Sequence, residues 1–513
     1  MKRKNILLIT ADQWRGDCLS AMGHPHVKTP NFDALISDGI TFDHHYSVCV
    51  PCAPARASLL TGMYLQNHRV TRNGTPLDHR HSNIAIELKK AGYRPTLFGY
   101  TDTALDPRFY SKEEVLKYGY EGIMPGFEEG LLLASENPKE WLQWLQDKGY
   151  DFSSVTDAFD IEELPKNNTL AKAGHPAKFK EEHSQTAFLT KNVIEYIDQN
   201  KLNNDIGWCV HLSYLRPHPP FVAPEPYNEM YNPDLLEAAD TPKVHKDDHP
   251  YLKAAHGPLG DWPEAWIQEL ANSKDYDKET RQLRATYYGL ITKVDHYFGK
   301  LISHLKSIGE YDNTLIIMTS DHGELMGDHG LFGKRGYFKE SYHIPLIIRD
   351  PTQTKTDRGH IETSITESID IMPTILNWID KPIPRQCDGK SLLPFIKGKT
   401  PKNWRKEAHW EYDFYDTKSL ELEKSLGLEM DDCKLNVISN DNYMFVYFAN
   451  LPALFFDLRK DPNCSHNVVD QAEYAPLVLK FSQQLLSWRM HNDERVLTNY
   501  SVSCDDIYHR ENS

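Results

Sequence analysis

Short β-branched and aliphatic runs alternate along the chain with longer stretches of helical periodicity. The runs predict core strands at Asn5–Thr10, Thr96–Tyr100, Trp208–Leu212, Thr314–Thr319 and Ile344–Ile348. The periodic stretches predict helices over Thr29–Asp38, Ile84–Ala91, Thr186–Gln199 and Arg281–Leu305. Strands alternating with helices are the pattern of an α/β fold, a mostly parallel sheet sandwiched by helices. In such sheets the ligand crevice lies beyond the carboxyl ends of the strands. The first strand ends in Asp12-Gln13 and another in Asp321-His322, which places polar, metal-competent groups at that end.

Two stretches break the rhythm. Residues 150–182 and 224–280 are rich in Pro, Asn, Asp and His, have weak periodicity, and are expected to form excursions over the crevice. After Ile383-Pro384 the character changes. Antiparallel strands are expected at His409–Tyr412, Leu435–Ser439, Tyr443–Phe448 and Ala453–Leu458, with a turn at Asn440-Asp441-Asn442 and a helix over Tyr474–Met490. The expected organisation is a catalytic α/β domain over 1–384, a smaller α+β subdomain over 385–492, and a tail over 493–513.

Composition narrows the function. Acidic residues outnumber basic ones, 73 to 57, for a formal charge of −16, and a nucleic-acid surface would need a basic stripe instead. That balance still admits an anionic substrate, because a metal or lysine can reverse the field inside one cleft. No apolar run is long enough to span a bilayer, so no membrane role is expected. The eight cysteines are scattered without a disulfide framework or zinc pattern, and Pro51 and Pro54 crowd the Cys49-x-x-Cys52 spacing. The apolar run behind Lys2-Arg3-Lys4 is short and ends in Asp12, which suits a buried strand better than a secretory leader. A cytoplasmic protein is expected.

The most informative stretch is Cys52-Ala53-Pro54-Ala55-Arg56-Ala57-Ser58-Leu59-Leu60-Thr61-Gly62. It sets a cysteine just ahead of a helix-forming run, whose positive end favours anionic chemistry. Taken alone, the residues leave a bland cysteine, either a low-pKa thiol or a half-buried structural one, as open as one that carries the chemistry.

The C-x-P-x-R pattern followed by a helix ending in Thr-Gly resembles the signature of the formylglycine-dependent sulfatase superfamily. The resemblance runs on through Asp12-Gln13, Thr29-Pro30-Asn31-Phe32-Asp33, Asp321-His322-Gly323-Glu324, Gly327-Asp328-His329, Gly333-Lys334, Pro345-Leu346 and Phe456-Asp457-Leu458. It covers nearly the whole chain in the expected order and implies an alkaline-phosphatase-like fold. Within the superfamily the blocks Asn73-Gly74-Thr75-Pro76-Leu77-Asp78, Gly99-Tyr100-Thr101, Leu215-Arg216-Pro217-His218-Pro219-Pro220 and Gly333-Lys334-Arg335-Gly336-Tyr337 look closest to phosphonate monoester hydrolases.

The resemblance implies that Cys52 is oxidised to formylglycine by a formylglycine-generating enzyme, a transient partner. It implies one divalent metal, Mn²⁺ or Ca²⁺ with Zn²⁺ also tolerated, on Asp12, Gln13, Cys52, Asp321 and His322. Hard oxygens joined to one imidazole suit such ions. Arg56 would hold the hydrated aldehyde, Lys334 would neutralise non-bridging oxygens, and His218 would protonate the leaving oxygen. Asn73, Tyr100 and Asp102 would face the substrate. Asp102 is a departure, since phosphonate monoester hydrolases commonly carry threonine there. Each residue also has a plainer reading. Asp12 and Asp321 could cap turns, Arg56 could be a helix-surface arginine, His218 a packed loop histidine, and Asn73 part of a simple turn.

The implied activity is hydrolysis of phosphonate monoesters and phosphate diesters, small anionic esters, with accompanying sulfatase activity. An aryl or alkyl sulfatase using the same site is the alternative. A non-catalytic anion- or metal-binding protein that keeps Cys52 as a thiol is a third reading, from another class. Related hydrolases use C-terminal segments in subunit contacts, and Val496, Leu497, Tyr500, Val502 and Tyr508 are many apolar groups for a tail. A homo-oligomer, a tetramer, is therefore expected.

Overall fold

The computed structural model describes residues 4–135, 138–159, 173–201, 207–240, 249–256, 273–415 and 420–510. Among them the main sheet has eight strands, in the spatial order Glu128–Leu132, Pro95–Gly99, Cys209–Tyr214, Asn5–Ala11, Thr314–Thr319, Leu346–Arg349, Ile40–Phe42 and His360–Glu362. The central strands Cys209–Tyr214, Asn5–Ala11 and Thr314–Thr319 are parallel and buried along their whole length, as continuous apolar runs require. Register fixes what leaves the sheet together. Ala11 lies beside Tyr214, and Thr10 beside both Ser213 and Thr319, so Asp12, Leu215 and Ser320-Asp321 emerge at one edge.

The period of two splits the first strand between two cores. Leu7 and Ile9 pack with the helices Gln185–Asn200 and Tyr276–Ser307 on one face. Ile6 and Leu8 pack with Cys52–Thr61, Ile84–Lys90 and Ile371–Trp378 on the other. Helices therefore cover both faces, as the alternating pattern predicts. The expected strands and helices are present, with ends displaced by a few residues. Three strands of the main sheet had no sequence prediction. Ile40–Phe42 and His360–Glu362 have only three residues each, and Glu128–Leu132 is a half-exposed edge strand reading EEGLL. Leu346–Arg349 runs antiparallel to Thr314–Thr319, so the sheet is mixed at that side.

A four-stranded antiparallel sheet follows, in the order Ala408–Asp413, Lys434–Ser439, Tyr443–Phe448 and Leu454–Asp457. Its turn forms as expected, with Asn440 Oδ1 accepting the N–H groups of Asn442 and Tyr443. The helix Ala475–His491 packs on it through Phe481, Leu485 and Trp488. The two excursions are described in part; 160–172, 241–248 and 257–272 lie outside the described residues. In the second, Pro250–Ala255 packs against the C-terminal sheet through Tyr251 on Phe414 and Phe448, while Asp240 reaches Asp328 and His329. The segment expected as a polar tail contains a hairpin, Tyr500–Val502 with Ile507–His509, whose residues are all exposed.

Gly99 ends the strand that delivers Tyr100 and Asp102, at φ +109, and a Cβ there would lie 2.2 Å from Ser213 O. Gly309 has φ +72 and nothing within 4 Å of the same atom. Both Ala variants should lose about 1 kcal/mol or more for backbone strain, and Gly99→Ala a further ~1–3 kcal/mol for the collision with the neighbouring strand. Urea unfolding should rank Gly99→Ala well below Gly309→Ala; equal midpoints would show that the strand ends are not packed this tightly.

Candidate active site

Cys52 opens the helix Cys52–Thr61, which is buried on every side. Such burial demands small residues, and Ala53, Ala55, Ala57 and Ser58 supply them. Pro51 gives the helix no side-chain cap, so Asn73 performs that service from outside, accepting Ala53 N–H on Oδ1 at 3.0 Å. Asn73 itself is exposed at the rim of the crevice. At the other end Gly62 turns left-handed and its N–H caps Ser58 O.

Arg56 lies one turn beyond Cys52, on the same face of the helix. It is no surface arginine: its guanidinium is buried among the strand ends. Nε donates to Asp321 Oδ2 at 3.0 Å, Nη2 to Asp12 Oδ2 at 2.8 Å, and Nη1 to Tyr100 O at 3.0 Å and Ser213 Oγ at 2.8 Å. The Tyr100 ring lies 4.3 Å from the guanidinium carbon, and Asp102 Oδ2 lies 3.6 Å from Nε. The Tyr100 hydroxyl also donates to Asp12 Oδ2, so the structure spends it on a carboxylate instead of leaving it free for substrate.

Ligand atoms of Asp12, Cys52, Asp321 and His322 lie within 4.8 Å of one another, all buried. The donor set fits a cation. His322 turns Nδ1 to Gly323 O at 3.0 Å, which fixes the proton there and leaves Nε2 as a lone pair, 3.2 Å from Cys52 Sγ. Asp12 Oδ1 is buried without a hydrogen-bond partner among the described residues, an orphan that a positive ion would satisfy. Gln13 Oε1 accepts from Lys334 Nζ at 2.6 Å beside this group. Four of the five residues expected around the cation are therefore brought together, and Gln13 lies next to them, its backbone N–H donating to Asp321 Oδ1 at 3.1 Å.

Electrostatics follow from burial and charge. Burial would raise the Asp12 carboxyl, but the positive charges around it, that of His218 when protonated and those of Arg56 and Lys334, lower it below the usual carboxylate range. Burial works against the Lys334 ammonium, yet Cys52, Asp12 and Asp321 together raise it. Burial, reinforced by Asp12, pushes the Cys52 thiol far up. Asp102 is likewise raised well above its ordinary value, by burial first and against the pull of Arg56. His218 is lowered to about 3 by burial, although Asp12 opposes the shift, and its Nδ1 lies 2.8 Å from Pro219 O. It is neutral at rest, with Nε2 left for a ligand.

Sequence reasoning assigned no role to Ser213, Ser320 or Glu324. Ser213 lies beside Thr10 and Ser320 directly follows Thr319, just behind Asp12 at the strand ends, and a hydroxyl there is an available signal. Ser320 Oγ accepts Trp14 N–H at 3.0 Å, and Glu324 holds the Gln13 amide. Cys49 is 3.2 Å from Ser58 Oγ, which reaches His68 at 2.8 Å, and all eight cysteines are free thiols. A second carboxylate–histidine group, Asp78, His79 and Asp106, is already paired by Arg80 and Arg108.

A helix-borne cysteine facing a cation-competent cluster at the strand ends suits an ester-bond hydrolase of α/β architecture, which the relatives indicate. The chain belongs to the sulfatase family, which matches residues 4–381, and the family described as N-sulphoglucosamine sulphohydrolase, C-terminal, matches 327–491. It is 41% identical over 98% of both chains to the multifunctional alkaline phosphatase superfamily protein PehA of Trinickia caryophylli. The phosphonate monoester hydrolase of Agrobacterium radiobacter superposes with a TM-score of 0.89 at 39% identity, covering 99% of this chain and 100% of that one. An arylsulfatase of Clostridium perfringens is 28% identical over 92% of this chain and 91% of its own. Sulfatases generally use a metal ion and a formylglycine.

Removing the guanidinium leaves Asp12 and Asp321 buried against each other. Arg56→Ala should lose about 3–5 kcal/mol in urea unfolding of metal-stripped protein. Arg56→Lys should recover only part of this, because one ammonium cannot span the four acceptors. A loss below about 1 kcal/mol for Arg56→Ala would contradict the bracing role.

Proposed function

We propose that the protein hydrolyses phosphonate monoesters and phosphate diesters, with sulfate monoesters as further substrates. One observation carries the reading: Cys52, the orphaned Asp12 oxygen, His322 and Lys334 converge where strand-end carboxylates are already braced by Arg56. The named phosphonate monoester hydrolase at TM-score 0.89 supports the phosphorus reading. The arylsulfatase relative supports the second, sulfatase reading, since a phosphate diester and a sulfate monoester both present a monoanionic tetrahedral group.

Residue 52, converted to hydrated formylglycine, offers a hydroxyl for attack on phosphorus and a second hydroxyl whose deprotonation expels the product. Asp12, Gln13, Asp321 and His322 would hold a divalent cation, Mn²⁺ or Ca²⁺ before Zn²⁺, which supplies Lewis acidity to the nucleophile and the ester oxygens. Lys334 stabilises charge growing on non-bridging oxygens. Arg56 fixes the two aspartates first, since four of its N–H donations already go to acceptors in the protein. His218 delivers a proton to the departing alcohol from Nε2. It must be charged to do so, and the approach of an anionic ester favours that state. Asp102, where the resemblance expects threonine, places a carboxyl against Arg56 at the substrate side.

Cys52 is buried in the folded chain, so we propose that a formylglycine-generating enzyme meets it before folding is complete. We also propose a cytoplasmic protein, a reading that the eight free thiols support. Finally, we propose a homotetramer. The exposed side chains of Leu497, Tyr500, Val502, Ile507 and Tyr508, with Leu479, Leu486 and Met490 on the preceding helix, support an apolar surface covered by a neighbouring copy.

Three measurements check these proposals. Phosphonate monoesters, phosphate diesters and sulfate monoesters should be turned over in parallel, the phosphorus esters with higher kcat/KM. Preference for sulfate would favour the second reading. Cys52→Ala should lose at least about 10³-fold in kcat, and Cys49→Ala less than about ten-fold. Peptide mass should show formylglycine at residue 52, whereas an unmodified thiol in protein from its native host would favour a non-catalytic binding protein. Light scattering of a chain ending at Asn492 should give a smaller oligomer than the parent; an unchanged mass would take the tail out of the interface.

A further inference from the structure

Glu324 closes the Asp321-His322-Gly323-Glu324 run and is fully buried. Its surroundings decide which way the Gln13 amide points. A lysine ammonium only donates, so the Gln13 atom 2.6 Å from Lys334 Nζ must be the oxygen. The amide –NH₂ is then committed to the other side, where it donates to Glu324 Oε2. Glu324 Oε1 accepts the backbone N–H groups of Met326, at 3.1 Å, and Gly333. Leu325 N–H donates to Gly333 O at 2.8 Å and closes the same loop. Gly333 immediately precedes Lys334. One carboxylate thus grips, through its two oxygens, both the amide beside the cation cluster and the turn that carries the site's lysine.

We propose that Glu324 is a positioning residue: it fixes the rotation of the Gln13 amide and the place of Lys334, so that Gln13 Oε1, and never its –NH₂, faces the cation. The proposal rests on the reading of Asp12, Asp321 and His322 as cation ligands. It adds a requirement that those ligands do not contain. Asn, Gln and their acids are nearly the same shape, so the requirement is one of hydrogen-bond polarity and can be inverted and restored.

In Glu324→Gln the oxygen stays on the two backbone N–H groups, and the new –NH₂ meets the –NH₂ of Gln13. Two donors repel, so Gln13 turns over and aims its own –NH₂ at Lys334 and the cation. Adding Gln13→Glu to that variant restores an acceptor on both sides, toward the new amide at position 324 and toward Lys334. Gln13→Glu alone sets a carboxylate against Glu324.

The test is calorimetric titration of metal-stripped protein with Mn²⁺. E324Q should weaken Mn²⁺ binding about 10–100-fold, and Q13E/E324Q should bind at least about ten-fold tighter than E324Q. Binding by E324Q within about two-fold of the parent overturns the proposal, as does a double variant no tighter than the single one. Should E324Q not fold, Q13E against Q13E/E324Q carries the same comparison, with tighter binding by the double variant expected and equal binding overturning it. A parent that takes up no Mn²⁺ overturns the cation reading and this proposal together. A parent that binds while E324Q binds equally well overturns this proposal alone. A merely structural Glu324 would lose stability in both variants and show no rescue of metal affinity.

Discussion

Two aspartates cannot share a buried strand edge without positive charge beside them, and this chain meets that demand with Arg56. Asp12 and Asp321 leave adjacent parallel strands at the same level because Thr10 pairs with Thr319. Each accepts one N–H of the guanidinium through Oδ2. The arginine comes from a helix on the sheet's other layer, so the same group that balances the carboxylates also fixes the helix relative to the strand ends. Cys52, on that helix, inherits the position. An arginine suits this task better than lysine because its planar fork holds several acceptors at fixed angles.

The bracing leaves the other lone pairs of the site unequal. Asp321 Oδ1 is spent on the N–H groups of Gln13 and His322, at 3.1 and 2.9 Å. Asp12 Oδ1 has no hydrogen-bond partner among the described residues. His322 has its proton directed away, at Gly323. An orphaned carboxylate oxygen, beside an imidazole nitrogen whose hydrogen-bond partner is the weak Cys52 thiol, describes a place for a cation. A divalent cation held there, with Lys334 nearby, would make the local field positive in a protein whose overall charge is −16, and that is how an acidic chain could receive an anionic ester.

Much of this was legible in the residues, and what was not has physical reasons. The central strands announced themselves because burial on both faces requires unbroken apolar runs. Glu128–Leu132 did not, since an edge strand with exposed faces carries no such demand. Asp12, Gln13, Asp321, His322 and Cys52 were readable because strand ends and a helix start are places where polar residues need a reason. The state of Arg56 was not readable, because helical spacing says which face a residue is on and not what covers that face. Tyr100 was expected to face substrate, yet its hydroxyl rests on Asp12, a choice made by the positions of three strand ends. Glu324 looked like the tail of a motif, and only the hydrogen-bond directions give it a task.

The C-terminal sheet enters the same argument from the far end of the nucleophile helix. Gly62, which caps that helix, gives its carbonyl to Asp388 N–H at 2.8 Å, and Tyr64 N–H donates to Asp388 Oδ2 at 2.9 Å. The Tyr64 hydroxyl donates to Glu367 Oε2 at 2.5 Å, and Glu367 also meets Arg405 and His409. His409 stacks on Trp488 of the terminal helix at 4.6 Å, and Trp488 meets Tyr64 edge-on at 4.8 Å. A buried network of this kind is costly to leave half-satisfied. Its completion therefore requires the C-terminal sheet, the terminal helix and the helix cap to dock together. Arg56 holds the nucleophile helix at its working end and this network holds it at the other. A helix fixed at both ends holds residue 52 against the strand-end carboxylates without adjustment, which is the preorganisation that the proposed chemistry would use.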